Sequence, residues 1–169
     1  METALDDQGT DLDGGEQSGA GGRVAAVADF TDWPPEAAEK PCIGGALSPS
    51  RERILALRPD LILAQGRSEA LAALAREHRI AFAAFPLDTL SDVRAAIAGF
   101  AARLNAEERG RRLLRDLDAG LAALPRRAPV PVFIALGHSP ADLSGLMTTG
   151  AATSLHDIVE LAGGRNVFA

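Results

Sequence analysis

The chain has 169 residues, of which 47% are hydrophobic, and this is enough apolar material for one ordinary domain with a buried core. Acidic residues are interleaved with the 17 Lys and Arg residues, so no basic surface indicates a nucleic acid partner. Cys42 is the only cysteine, which excludes an internal disulfide bond. No apolar run approaches the roughly 20 residues that span a bilayer.

Residues 1–22 differ in composition from the rest of the chain. They contain acidic residues but no Lys or Arg, and they account for the whole formal net charge of −6. Gly, Ser and Gln are frequent among them, so we expect a disordered acidic tail. The basic and apolar regions of a secretory leader are absent, and a chain that begins here is expected to stay in the cytoplasm.

Short apolar runs predict the strands. None of them alternates with polar residues, which is typical of strands that are buried on both faces of a parallel sheet. Longer segments with helical periodicity lie between them, so the fold class is α/β with helices covering the sheets. The predicted strands are Val24–Ala28, Leu61–Ala64, Ile80–Phe85 and Val130–Leu136.

Capping residues predict where the helices begin and end. Ser48 followed by Pro49 is typical of an N-cap and a first helical residue. Asn105, with two glutamates after it, indicates the start of a longer helix. The predicted helices are Ser48–Leu57, Ser68–His78, Ser91–Leu104, Asn105–Leu124 and Thr153–Ala162.

Two successive helices without a strand between them indicate a boundary. We therefore expect a first α/β lobe over residues 23–104, a connecting helix over 105–124, and the start of a second α/β lobe over 130–169. One strand and one helix cannot complete a lobe, so the second lobe is expected to be incomplete.

Ligands of open α/β sheets bind outside the carboxyl ends of the strands. The segments that follow the strands are "DFTDWPP", "QGRSE" and "GHSPADLSG", and "IGGALSPS" leads into a helix N-terminus. Trp33 is expected to form a wall of a crevice there, or alternatively to be a core or lobe-edge aromatic residue. Asp32 and Asp29 could also be turn or cap residues.

The segment "GHSPA" at residues 137–141 partly matches the nucleophile elbow of α/β hydrolases. Ala141 replaces the last glycine of that motif, and Pro140 follows the serine. An esterase with Ser139 as its nucleophile is therefore kept as an alternative function. His138 could be a metal or corrinoid ligand, or simply a polar loop residue.

The combination of segments resembles a known protein family. "VADFTDWPPEA", "KPCIGGALSPSRERILALRPDLILA", "FIALGHSP" and "ELAGGRNVFA" are similar to the substrate-binding proteins of ABC importers for cobalamin, iron-siderophores and haem. The resemblance is strongest to the cobalamin branch and covers residues 23–169.

This resemblance implies a non-enzymatic, monomeric protein with no cofactor of its own. It would hold cobalamin, haem or a ferric siderophore in a cleft between two lobes and deliver it to an ABC permease outside the cytoplasm. Glu52 would dock onto that permease, and Leu47 and Leu136 would border the cleft. The implied ligand-binding residues are Asp32, Trp33, Pro34, Gly45, Ala46, Gln65, Gly137 and His138.

The sequence also departs from the family pattern. Family members have a signal sequence, a strand and a helix before the segment that begins here at Arg23, and corrinoid binders often carry aromatic residues where this chain has Ala46 and Gln65. Without that strand, backbone groups inside the first sheet should lack partners. A truncated fragment that binds no solute is therefore a further alternative.

Overall fold

A computed structural model describes residues 3–5, 20–45, 48–125, 128–137, 139 and 144–169. The chain divides into two compact units, Met1–Phe85 and Pro86–Ala169. Helices and strands alternate through most of the chain, and the α/β fold class is confirmed. The third predicted helix, Ser91–Leu104, lies in the second unit. The lobe organisation itself stays a prediction.

The predicted helices are present with small shifts at their ends. Ser68 and Thr153 are N-caps whose side chains accept backbone N–H groups, and Thr89 forms a capping box with Asp92. The helices are α1 (Arg51–Leu57), α2 (Glu69–His78), α3 (Leu90–Arg103), α4 (Glu107–Ala122) and α5 (Ser154–Leu161).

Four strands form the sheet of the first unit: β1 (Thr3–Leu5), β2 (Val24–Val27), β5 (Leu61–Gln65) and β6 (Ala81–Phe85). Their order is β2-β1-β5-β6. β5 and β6 are parallel, as the apolar runs predict. β1 is antiparallel to both β2 and β5, so these two neighbours run in the same direction.

The prediction of a disordered tail over residues 1–22 is wrong for two segments. Thr3–Leu5 is a strand, and Ala20–Arg23 is a 3-10 turn that leads into β2. β1 pairs with β2 on one side and with β5 on the other, and it supplies partners to backbone groups that would otherwise be unpaired inside the sheet. Residues 1–2 and 6–19 lie outside the described residues.

The core of the first unit lies between the sheet and its helices. Ile43, Ile54 and Leu71 are its largest fully buried side chains, and Ile62 and Ala64 of β5 pack in the same cluster. Because Leu61–Ala64 are all buried, side chains on both faces of β5 are shielded from water, and its unbroken run of Leu, Ile, Leu and Ala needs no polar alternation.

The prediction that α1 begins at Ser48 is wrong. Ser48–Pro49 forms a short strand, β4, that pairs with β3 (Gly44–Gly45). The N-cap is Ser50, whose hydroxyl accepts the N–H of Arg53. Ser50 can take this role because the β3–β4 pairing holds the preceding two residues in extended conformation.

Asn105 is not the N-cap of α4. It adopts a left-handed conformation with φ of 52°, which Asn tolerates better than most residues, and Ala106 occupies the N-cap position. The helix therefore begins at Glu107 without a side-chain cap.

The second unit contains α3, α4 and α5 and a two-stranded parallel sheet. β7 (Val130–Val132) is shorter than the predicted strand Val130–Leu136, and it pairs with β8 (Gly164–Asn166), which the sequence did not indicate. α3 and α4 pack closely at Gly110, where an added Cβ would overlap the Cβ of Ala101. Asp157 of α5 accepts the N–H of Leu90 at 2.7 Å and so satisfies one free donor at the start of α3.

Candidate functional site

The loop that follows β2 presents two aromatic side chains to solvent. Phe30 is 100% exposed and Trp33 is 75% exposed. Phe30 has φ of 64°, a left-handed conformation that bulky residues seldom adopt, and the N–H of Thr31 donates to the carbonyl of Ala28 at 3.3 Å. A tight turn thus places both rings outside the core. The alternative that Trp33 is a core residue is wrong, whereas its place at a crevice wall or at a lobe edge stays a prediction.

The glycine loop of β3 is held next to this turn. The N–H of Asp29 donates to the carbonyl of Gly44 at 2.9 Å, and the thiol of Cys42 donates to the carboxylate of Asp29 at 2.7 Å. Gly45 also lies close to Asp29, since a Cβ on Gly45 would be 3.7 Å from Asp29 Oδ2. Asp29 therefore serves as a turn residue that joins two loops, as its alternative interpretation predicted.

Gln65 lies at the same edge of the sheet. It is the last residue of β5 and is exposed, and the following Gly66 donates its N–H to the carbonyl of Phe85 at 2.8 Å. Because β2, β5 and β6 run in one direction, their carboxyl ends meet at this edge. The structure thus brings the aromatic turn, the glycine loop and Gln65 to one edge of the first unit.

The described site residues of the first unit are accessible to a ligand. Asp32, Trp33, Pro34 and Gln65 are exposed and Gly45 is half-buried. Ala46 and Leu47 lie outside the described residues, as does His138 of the second unit. Leu136 and Gly137 also belong to the second unit, so a role beside the first-unit residues stays a prediction.

Sequence reasoning missed Phe30. The signal was present, because an aromatic residue follows a buried strand in the same short loop as the only tryptophan. Its backbone conformation and complete exposure could not be read from the sequence. A fully exposed phenylalanine in a left-handed turn suggests a binding role, since neither packing nor backbone preference favours it there.

Among the described residues, Ser139 belongs to a segment whose two ends pair with each other. Gly137 and Met147 form an antiparallel bridge, and the N–H of Ser139 donates to the carbonyl of Ser144 at 2.9 Å. These contacts close a loop across the serine, whereas an elbow passes directly from a strand into a helix. The described helix that follows begins only at Ser154. The local geometry therefore does not support the esterase alternative.

Glu52 lies in the first turn of α1 and is exposed. Its own backbone N–H and the hydroxyl of Ser50 hydrogen-bond the carboxylate, and these bonds lower the pKa of Glu52 from its ordinary value. The adjacent Arg51 acts in the same direction. The side chain is thus a well-anchored negative charge on the surface of the first unit.

The described residues contain no group of three or more His, Cys, Asp or Glu side chains that could hold a metal ion. Within the same residues, no helix is long and apolar enough to cross a membrane.

The fold and its sheet edge are those of an α/β protein, and comparisons with known proteins identify the family. The sequence matches the family described as "Periplasmic binding protein" over residues 8–169. It is 31% identical to the vitamin B12-binding protein of Pectobacterium atrosepticum, over 89% of this chain and 56% of that protein.

Two solved structures share the fold. The periplasmic vitamin B12-binding protein BtuF of Vibrio cholerae is 25% identical, with a TM-score of 0.61 over 89% of this chain and 60% of that one. The periplasmic haem-binding protein RhuT of Roseiflexus sp. RS-1 is also 25% identical, with a TM-score of 0.65 over 87% and 58%. The chain belongs to the periplasmic binding protein family, and it spans about half the length of the curated relatives it matches.

Proposed function

We propose that this chain is the solute-binding component of an ABC importer and that its ligand is a bulky metal chelate, most specifically a corrinoid such as cobalamin. The observation that carries the proposal is the pair of exposed rings, Phe30 and Trp33, at the carboxyl edge of the first-unit sheet. The vitamin B12-binding relatives support the corrinoid, and the haem-binding neighbour keeps haem as a related ligand.

The chemistry of the turn suits a large, flat, conjugated ligand. Aromatic faces stack on extended ring systems, and each ring can bury roughly 150–250 Å² of surface. At about 25 cal/mol per Å² such burial stabilises a complex by several kcal/mol before the loss of translational freedom is counted. Asp32 lies in the same loop as the rings and is exposed, so its carboxylate would hydrogen-bond polar groups on the ligand's rim. Gln65 is exposed at the same edge of the sheet and would contribute there as well.

The remaining parts of the mechanism extend the same proposal. Leu136, Gly137 and His138 would border the ligand from a second lobe, with a connecting helix over 105–124 between the lobes. The protein would act as a monomer outside the cytoplasm, without catalysis or a resident cofactor. Glu52 would dock onto basic residues of the permease, because its carboxylate is exposed and stays ionised.

The test is a ligand titration of single-residue variants of the 169-residue chain. Trp33→Ala and Phe30→Ala should each weaken cyanocobalamin binding about 5- to 50-fold, which corresponds to ~1–2 kcal/mol for a central aromatic contact. Leu113→Ala is the control, because Leu113 is an exposed apolar residue on α4 of the second unit. Binding is measured by calorimetry for every chain and, in the chains that keep Trp33, also by quenching of this only tryptophan.

Each result has a defined meaning. Unchanged dissociation constants in both aromatic variants would remove the turn from the site. Haem binding without cobalamin binding would change the ligand class while keeping the site. If neither ligand binds the unmodified chain, the alternative of a fragment without a formed site is favoured. Hydrolysis of short-chain esters that Ser139→Ala abolishes would instead favour the esterase.

A further inference from the structure

The aromatic turn belongs to a loop whose two ends meet. This loop, residues 29–40, leaves the sheet after β2, and the chain then returns parallel to the end of β2, where Val27 and Cys42 form a bridge. The N–H of Val27 donates to the carbonyl of Pro41, and the N–H of Ile43 donates to the carbonyl of Val27, both at 3.0 Å. Surface loops with adjacent ends of this kind are Ω-loops, and they frequently carry function.

The returning segment, residues 41–44, is also held from its other side by the start of α1. The carbonyl of Cys42 accepts a hydrogen bond from Nη1 of Arg53 at 3.0 Å, and the carbonyl of Ile43 accepts the N–H of Ser50 at 2.6 Å. Ile43 is 2% exposed and belongs to the core of the first unit. Residues 41–44 therefore form a fixed support for loop 29–40.

Asp29 closes the loop onto this support. Its N–H donates to the carbonyl of Gly44 at 2.9 Å, and its carboxylate accepts the thiol of Cys42 at 2.7 Å. The N–H of Gly44 in turn donates to the sulfur of Cys42 at 3.3 Å, so the three residues form a closed ring of hydrogen bonds. Asp29 directly precedes Phe30, and this ring of hydrogen bonds thus fixes the point where the left-handed turn begins.

We propose that Asp29 is a positioning residue of the candidate ligand site, which holds Phe30 and Trp33 in place by closing loop 29–40 onto Cys42 and Gly44. This role rests on the proposed function, since it takes the two rings to be ligand contacts. Phe30 is 100% exposed and Trp33 is 75% exposed, so burial contributes little to their positions and the loop backbone must hold them. A site that is ordered before the ligand arrives loses less conformational entropy on binding. Opening the loop at Asp29 should therefore weaken binding.

The experiment removes the hydrogen bond between Asp29 and Cys42 from either side. Asp29→Ala removes the acceptor, Cys42→Ala removes the donor, and a double variant removes both. Asp29→Asn and Cys42→Ser are the conservative variants, because an amide oxygen can accept and a hydroxyl can donate the same hydrogen bond. Asp60→Ala is the control, since Asp60 is an exposed acid directly before β5 and lies at the opposite edge of the sheet.

Two quantities are measured for each chain. The first is the fluorescence anisotropy of Trp33, the only tryptophan, without ligand, and the second is the dissociation constant for cyanocobalamin by calorimetry. Asp29→Ala and Cys42→Ala should each lower the anisotropy and weaken binding about 3- to 10-fold, the effect of one lost hydrogen bond. The double variant should lose no more than either single variant, because all three lack the same hydrogen bond. Asp29→Asn and Cys42→Ser should stay within about twofold of the unmodified chain.

Urea denaturation of each variant separates positioning from stability. A merely structural role would lower the free energy of unfolding in Asp29→Ala and leave the anisotropy and the affinity unchanged, and this result would overturn the proposal. Equal effects of Asp60→Ala, or additive losses in the double variant, would overturn it as well. If Asp29→Ala does not fold, Cys42→Ala tests the same hydrogen bond.

Failure of the proposed function gives a different result. In that case the unmodified chain binds neither cyanocobalamin nor haem. The anisotropy of the ligand-free chains still decides whether Asp29 positions Trp33, because a decrease in Asp29→Ala that Asp29→Asn does not show supports this role, and an unchanged anisotropy overturns it.

Discussion

The two compact units bury their apolar residues to very different extents. Among the described residues, all buried hydrophobic side chains except Ala96 and Ala101 belong to the first unit. All exposed large hydrophobic side chains except Phe30 and Trp33 belong to the second. The first unit has a four-stranded sheet, whereas β7 and β8 form a sheet of two strands. The unit with the wider sheet is thus the one with the better-buried core.

This difference shows where exposure is informative. In the second unit, exposed apolar residues such as Phe133 and Phe168 are numerous and pack partly on one another, with ring centroids 5.5 Å apart. In the first unit, Phe30 and Trp33 are exceptions beside a well-buried core. An exposed aromatic side chain beside a well-buried core is a stronger indication of a binding site than one among many other exposed apolar residues.

The largest effect on stability is expected in the first-unit core. Ile54→Ala removes a side chain that is 1% exposed and should lower the free energy of unfolding by about 2–5 kcal/mol, since the cavity cannot fill completely. Ile158→Ala is the control from α5 of the second unit, where the side chain is 55% exposed, and it should cost less than about 1 kcal/mol. Urea denaturation measures both. Similar losses of unfolding free energy in Ile54→Ala and Ile158→Ala would contradict the difference in packing between the two units.

A smaller effect tests the packing within the second unit. Gly110→Ala should destabilise the chain by about 1–3 kcal/mol, because the new Cβ would overlap Ala101 and force α3 and α4 apart. Gly120→Ala on the same helix is the control, since nothing lies within 4 Å of its Cβ position. It should stabilise the chain by up to about 1 kcal/mol through helix propensity. A neutral Gly110→Ala in thermal unfolding would contradict the close contact.

The smallest effect on stability is expected for Glu52→Gln, because this carboxylate is exposed. The pKa of Glu52 is lowered in the folded chain. The carboxylate therefore adds to the free energy of unfolding above its unfolded-state pKa, and this contribution disappears as the pH falls through its folded-state pKa. If Glu52 has the docking role proposed above, the variant should keep its ligand affinity but bind an ABC permease several-fold more weakly. Binding of the protein to the permease in lipid nanodiscs is the measurement.

Glu69→Gln provides the matched control for this docking experiment. Glu69 is also an exposed acid in the first turn of a helix, but it lies on α2. Equal weakening by both substitutions would indicate a general charge effect and would exclude a specific role of Glu52.

Much of the fold could be predicted because the signals are local. The strands β2, β5 and β6 follow from unbroken apolar runs, and the caps at Ser68 and Thr153 follow from residue type and position. β7 is shorter than its apolar run because β8 pairs only with Val130–Val132. A strand ends where its partner ends, and the sequence of the run does not contain that information.

The candidate site could be predicted in part for a similar reason. Trp33 and Gln65 were identified because each lies just after a strand, and parallel strands bring such positions to one edge. Phe30 was missed, because its exposure depends on a left-handed turn whose neighbours are tied to the glycine loop. The contacts of Asp29 with Gly44 and Cys42 are long-range and have no sequence signature.

The sequence by itself determined the α/β class, the helices, the parallel pairing of β5 with β6 and the family, because periodicity, capping and motifs act over short distances. Only the tertiary structure decided that Thr3–Leu5 becomes a strand inside the sheet and that Ser50 replaces Ser48 as the cap. Both outcomes depend on backbone groups of distant segments that need a hydrogen-bond partner once the core excludes water.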